Sequence, residues 1–290
     1  MIMSELKRIT IVLVAYKSAE KIKRFIKKIP KTAPIIIVDN SKDYSLKQVF
    51  KKNKNVKIFF KKNQGYGSSI NYSVRKIKTP YFLVVQPDVI GINEKALINF
   101  YKYAKKLKDK FAVLGPHFKN ASKSGHYQTN LKYKIKKIHN VHGSTIFFNK
   151  KIFIKNNGFD DNIFLYWEET DYTKRAFEKG YPTYQLNLVK VKHERGKAVG
   201  LKGKEQKKNL EHLYIWHFIW SKYYFFKKHY GALSAITYFI PTIIRIFFRI
   251  YFHKIKKDEK YVKYQCRWDG LKNSILNNKS SMRLEEISKI

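Results

Sequence analysis

Four short apolar runs, each stopping at a polar cluster, constrain this chain more than any other feature. Ile9, Ile11, Val12, Leu13 and Val14 make a near-continuous run, Ile35, Ile36, Ile37 and Val38 a second, and Val56–Phe60 and Tyr81–Val85 two more. Short runs without strict polar alternation are what strands covered on both faces look like. A lysine-rich helical stretch separates the first two. Ile70, Val74 and Ile77, recurring at i, i+4 and i+7, predict a helix over 67–78. Strand and helix alternation predicts an α/β domain around a mostly parallel sheet, and such sheets bind ligands beyond the carboxyl ends of their strands.

Those ends read Ala15-Tyr16-Lys17, Asp39-Asn40-Ser41 and Gln86-Pro87-Asp88. The turn after the first run reads VAYKSAEKI, which lacks the glycines of a dinucleotide-binding turn, and no GxxxxGK[ST] occurs anywhere. Asp39 and Asp88 suit a nucleotide-sugar site, one carboxylate accepting from base or ribose and the other holding a divalent ion against a diphosphate; each also suits a simple turn. Between them, NQGYGSSIN over 63–71 joins strand to helix through two glycines, either as a ligand-approaching loop or as an ordinary helix cap.

Further on, 145–148 and 184–191 read as strands and 169–179 as a helix stopped by Gly180 and Pro182. Glu168, Glu169 and Asp171 crowd the start of that helix, preceded by Phe164, Leu165 and Trp167. The helix dipole and an i,i+4 pair between Asp171 and Arg175 account for some of these acids. Three in four positions, in a chain with only 21 acids against 61 Lys and Arg, point also to a general base. His193 closes the following strand and is either structural or a metal ligand.

The net charge of +40 favours anionic partners. Lysine is spread along the whole chain with no RNP, zinc-finger or helix-turn-helix pattern, which argues against the rival reading as a nucleic-acid-binding protein. The single cysteine, Cys266, fits a reducing compartment, and no secretory leader is evident, so a cytoplasmic location is expected. After about residue 204 the strand signal ends, which sets expected domains of 1–204 and 205–290. The uncharged run from 231 to 244 contains Pro241 and is too short to span a bilayer. Arg245, Arg249 and His253 recur every fourth residue among aromatics, and with Trp216 and Trp220 they predict a helix lying on an anionic membrane surface, peripheral to the inner face of the cell membrane. A helical cap over the catalytic core is the alternative.

Together these segments, over roughly residues 8–230, resemble glycosyltransferase family 2, and within it the rhamnosyltransferase-like bacterial members of surface polysaccharide synthesis. The resemblance implies a GT-A-type nucleotide-diphospho-sugar transferase fold with a C-terminal helical region. It implies a donor nucleotide pocket from Ala15, Tyr16, Asp39, Asn63, Gly65, Gly67 and Gln86, with Asn71 in the same loop motif. QPDV puts Asp88 at the family's metal position, with Gln86 where asparagine is usual. His142 and Gly143, leading to Lys150-Lys151, match an acceptor-side segment, with Trp167 beside it. Glu168-Glu169-Thr170-Asp171 matches the Glu-Asp-x-Asp motif, so Glu169 stands at the base position, with Glu168 and Asp171 as alternatives. His193, with Gly196 beyond it, matches a second metal position. The implied activity is metal-dependent inverting transfer, with Mg²⁺ or Mn²⁺, of a sugar such as rhamnose to a saccharide or lipid-linked acceptor. The departures at Gln86 and Glu169 also admit an inactive scaffold.

Overall fold

The computed structural model describes residues 2–120, 131–194, 198–201 and 203–287; Gly196 lies outside them. The chain packs as two compact units, one of residues 1–160 and 169–200, the other of 161–168 and 201–290.

The first unit is built on a mixed sheet. Strands β1 (Ile9–Ala15), β2 (Ile35–Asp39), β3 (Val56–Phe60) and β4 (Tyr81–Val85) are mutually parallel in the order β3-β2-β1-β4. Beyond β4 the sheet reverses. Strand β8 (Thr145–Asn149) runs antiparallel to both β4 and β6 (Val113–Phe118), and β6 lies parallel to β9 (Thr183–His193). Two short strands, β5 (Val89–Ile90) and β7 (Ile135–Ile138), pair antiparallel with β9. The parallel half is the part the apolar runs foretell. Strands β5, β6 and β7 are not among the expected strands; β5 has two residues, and β7 (IKKI) has its lysines exposed, so neither leaves an apolar run.

Strand side chains alternate between two cores. Ile11, Leu13, Leu83 and Phe147 face one, packed against helices α2 (Ala19–Ile26), α3 (Ser45–Val49) and α5 (Glu94–Lys106). Val12, Val84, Phe82 and Phe148 face the other, against α4 (Tyr66–Val74), α6 (Lys150–Lys155) and α7 (Glu168–Glu178). Helix α1 (Ile2–Leu6) precedes β1.

The second unit is helical: α8 (Lys204–Tyr230), α9 (Ala232–Ile255) and α10 (Lys260–Ile275). Ile219, Tyr223, Phe239, Ile246 and Leu271 form its core, and Trp216, Trp220, Cys266 and Ile287 a smaller cluster. The two tryptophans expected to anchor a membrane interface are buried here instead, with Trp216 Nε1 donating to Asp269 and Trp220 Nε1 to the Asn278 carbonyl. His253 is also inside, 3.2 Å from Asp258, so it does not extend the row of Arg245 and Arg249. The helix runs through Pro241 and, at 24 residues, is longer than the uncharged run. By length and composition alone it could cross a membrane, the one such helix among the described residues.

Phe148 is fully buried, stacked on Phe82 at 4.7 Å and edge-on to Phe153, Phe159 and Tyr172. Phe148→Ala is therefore expected to lower stability by about 3–5 kcal/mol, read as a lower urea midpoint at unchanged slope.

Candidate functional site

Strand register gathers residues that are far apart in sequence. The antiparallel ladder pairs Val89 with His193, and Glu194 N donates to the Asp88 carbonyl at 3.1 Å, so Asp88 and His193 become neighbours. On the other side, Val85 pairs with Thr145 and Gln86 N donates to the Ser144 carbonyl, which brings 142–144 beside Gln86-Pro87-Asp88. The His142 and His193 rings lie 5.1 Å apart.

Asp88 is 5% exposed, and neither carboxylate oxygen accepts a hydrogen bond from a described residue. His193 Nε2 stands 3.3 Å from Asp88 Oδ1, while its Nδ1 is buried with no partner among the described residues, as is Ser144 Oγ. A buried acceptor left unmatched is costly, and several close together mark a place where a ligand completes the bonding. A carboxylate with a neutral imidazole is a suitable half-set for Mg²⁺ or Mn²⁺, which commonly take one or two protein ligands and fill the remainder from phosphate and water. No group of three or more His, Cys, Asp or Glu suited to a metal occurs among the described residues.

Glu169, in the first turn of α7, turns its carboxylate to Gly143. A Cβ at Gly143 would stand 3.3 Å from both Cδ and Oε2 of Glu169, so the missing side chain makes room for the acid. Burial pushes the Glu169 carboxyl up to about 7, against a smaller lowering by a backbone hydrogen bond. Tyr66 donates its hydroxyl to the Gly143 carbonyl at 3.2 Å, tying the start of α4 to this point. His142 Nδ1 accepts from Ser144 N at 3.1 Å.

The other acids differ. The carboxylate of Asp171, fully buried, receives Arg175 Nε at 2.8 Å, and the same guanidinium donates to the Asn156 and Gly158 carbonyls. It is a fastener of α7, which leaves Glu169 as the acid that faces Gly143. Asp39, also fully buried, accepts from Ser41 Oγ and Asp43 N at 2.7 Å, while Ser41 Oγ accepts from Lys17 N. This network holds the ends of β1 and β2 together, with Ala15 opposite Asp39 in the ladder and half-buried Tyr16 just beyond it.

In the loop before α4, Asn63 Oδ1 accepts from Gly65 N at 3.3 Å and Gly65 (φ 110°) is buried, as is Gly67 in the first turn of the helix. Asn71 clamps a separate segment, donating to the Phe159 carbonyl and accepting from its N–H. Within the helical unit, Glu168 is buried and Trp167 packs on Phe218, Phe225 and Phe226, so Trp167 has a packing role there beyond the acceptor-side role expected of it.

Two residues of the cluster escaped the sequence reading. Tyr66 sat between two noted glycines, and Asn120, whose side chain donates to the His193 carbonyl and accepts from its N–H, had no signal at all.

The family model for glycosyl transferase family 2 matches residues 10–167. This chain belongs to that family. A low-salt glycan biosynthesis hexosyltransferase of Haloferax volcanii, Agl10, is 23% identical over 207 residues, covering 64% of this chain and 66% of that protein, just under two thirds of its length. Among solved structures, a mannosyltransferase of Pyrobaculum calidifontis in complex with GDP-Man and Mn²⁺ is 11% identical, with a TM-score of 0.57 over 93% of this chain and 86% of that one. TarS of S. aureus (residues 1–349) with UDP-GlcNAc is 14% identical, with a TM-score of 0.54 over 97% and 87%. The fold is accordingly the GT-A type with a C-terminal helical region.

Asp88→Ala is expected to abolish thermal stabilisation by Mn²⁺ while leaving the metal-free melting point equal or higher, because it removes an unmatched buried carboxylate. Melts with Mn²⁺ and with chelator that still differ as in the wild type would reject the assignment.

Proposed function

We propose that this glycosyltransferase is an inverting hexosyltransferase whose base is Glu169. The observation that carries the reading is the Glu169 carboxylate standing against Gly143, next in sequence to His142 and so beside the unmatched pair of Asp88 and His193. The related proteins solved with GDP-Man, with UDP-GlcNAc and with Mn²⁺ support a nucleotide-sugar donor and a divalent cation.

In this reading Ala15, Tyr16, Asp39, Asn63, Gly65, Gly67 and Gln86 line the donor nucleotide pocket, and His142 and Gly143 border the acceptor. Asp88 and His193 would hold the cation, which supplies positive charge against the departing diphosphate. Glu169 takes the proton of an acceptor hydroxyl as that oxygen bonds to the anomeric carbon. The bond from that carbon to the nucleoside diphosphate breaks in the same displacement, and the diphosphate leaves with the electron pair. One displacement inverts the anomeric centre. A carboxyl titrating near neutrality suits this work, since it is a stronger base than an ordinary carboxylate yet is ionised in a large fraction of molecules.

The sign of the pH dependence follows. The active form is the ionised one, so kcat/KM is expected to rise as pH increases through about 7 and then level. Glu169→Gln should retain donor binding and lose about 10²–10⁴-fold in turnover. Near-normal turnover in that variant would remove Glu169 from the role.

The donor is found with a thermal-shift panel of nucleoside diphosphates and their sugars, rhamnose included, in Mn²⁺. A true donor at 100 times its Kd adds about 2.7 kcal/mol of stability. Proton NMR of the transfer product then reads the anomeric configuration, and retention would overturn the single displacement. A panel in which no nucleotide shifts the melt, with no transfer or donor hydrolysis, would favour the scaffold.

A further inference from the structure

Helix α9 carries a stripe of large apolar side chains that the described residues leave largely exposed, with Phe247 also meeting the ring of Trp268 of α10 at 4.5 Å. Leu233, Ile240, Ile244, Phe247, Tyr251 and Ile255 follow one another at spacings of 7, 4, 3, 4 and 4, which keeps them on one face, and they are between 48% and 78% exposed. Phe248, 63% exposed, widens the same face. The opposite side is satisfied, with Ala235, Phe239 and Ile246 buried against Ile219, Tyr223 and Leu271 of α8 and α10. The helix therefore has two apolar sides, and only one of them belongs to the protein core. A contiguous exposed patch of this kind marks an interaction surface.

The charges beside the stripe identify what it meets. Arg245, Arg249 and Lys256 each follow a stripe residue (Ile244, Phe248 and Ile255) by one position and so stand about 100° round the helix from it. All three are exposed, and none pairs with a carboxylate among the described residues. Lys254 lies on the other flank, and α9 contains no Asp or Glu. An apolar ridge with cationic edges matches the boundary of an anionic bilayer, where the ridge sits among acyl chains and long basic side chains reach the phosphates. A second copy of the chain is a poorer match, because self-complementary packing of this face would bring the arginine rows together. Crossing the bilayer would expose the core side of α9 and strand both arginines in hydrocarbon.

We infer that α9 docks the protein onto anionic lipid, lying in the plane of one leaflet with the face of Leu233, Ile240, Ile244, Phe247, Tyr251 and Ile255 inserted by about 5–10 Å. The inference names a partner for the transferase proposed above, one that would present a lipid-linked acceptor, yet it stands on the helix alone. Lipid binding and donor binding are measured separately, so either can fail without the other.

Flotation of the full chain with vesicles of phosphatidylcholine, with and without phosphatidylglycerol, tests it. The protein is expected to float with the acidic vesicles and to be released progressively by salt. Ile244→Glu with Phe248→Glu should weaken binding by about tenfold or more, with circular dichroism, melting temperature and donor-induced stabilisation unchanged because both positions are exposed. Arg245→Gln with Arg249→Gln should weaken it less and flatten the salt dependence. The inference is overturned if the wild type stays with the unbound fraction at low salt, or if the glutamate pair floats like the wild type. It is also overturned if lipid-free sedimentation finds a dimer that the glutamate pair dissociates, which would make the face a contact between copies.

Discussion

Two residues of β5 pair antiparallel with the end of β9, and that short ladder, together with the reversal of direction at β8, is the constraint on which the site depends. In a sheet that stayed parallel throughout, the carboxyl ends of the strands would carry only the residues that follow each apolar run. Reversal lets the start of one strand meet the end of another, so His142 to Ser144 arrive beside Asp88, and His193 is delivered to the same place from the opposite direction. Register is what makes this reliable, since a slip of one residue would turn every side chain to the other face.

The four central acids separate by what they are bonded to. Asp39 links the ends of two strands through Ser41 and Asp43, and Asp171 fixes α7 through Arg175. Asp88 and Glu169 are buried or half-buried with the protein offering little in return, and Glu169 is shifted toward neutrality as a result. Leaving a group underbonded costs stability, which is the usual sign of a group kept for a ligand or a proton.

Much of this was legible in the sequence and part of it was not, for physical reasons. Strands β1, β2 and β4 announced themselves because burial on both faces leaves a near-unbroken apolar signature, while β3, at the sheet edge with Lys57 exposed, shows a weaker one. The i,i+4 relation of Asp171 and Arg175 could be read directly, since helix geometry fixes it. β5 and β7 are short pieces whose identity comes from pairing with residues of β9 far along the chain, and such pairing leaves no local trace. That Glu169 turns its carboxylate to Gly143 likewise leaves no trace in the spacing of the acids. In the helical unit, aromatic content alone misassigned Trp216 and Trp220. The burial of one face of α9 rather than another depends on α8 and α10, and it left Ile244, Phe247 and Tyr251 outside where the tryptophans had been expected.

Cys266, packed with the buried tryptophans of the helical unit, has a practical bearing. Burial pushes its thiol up to about 12, so at neutral pH it is almost wholly protonated as well as shielded. Any cysteine introduced on the surface would then be the sole reactive sulfur of the molecule. Spin labels or fluorophores could be attached at chosen points without first stripping out a native thiol whose removal would leave a hole.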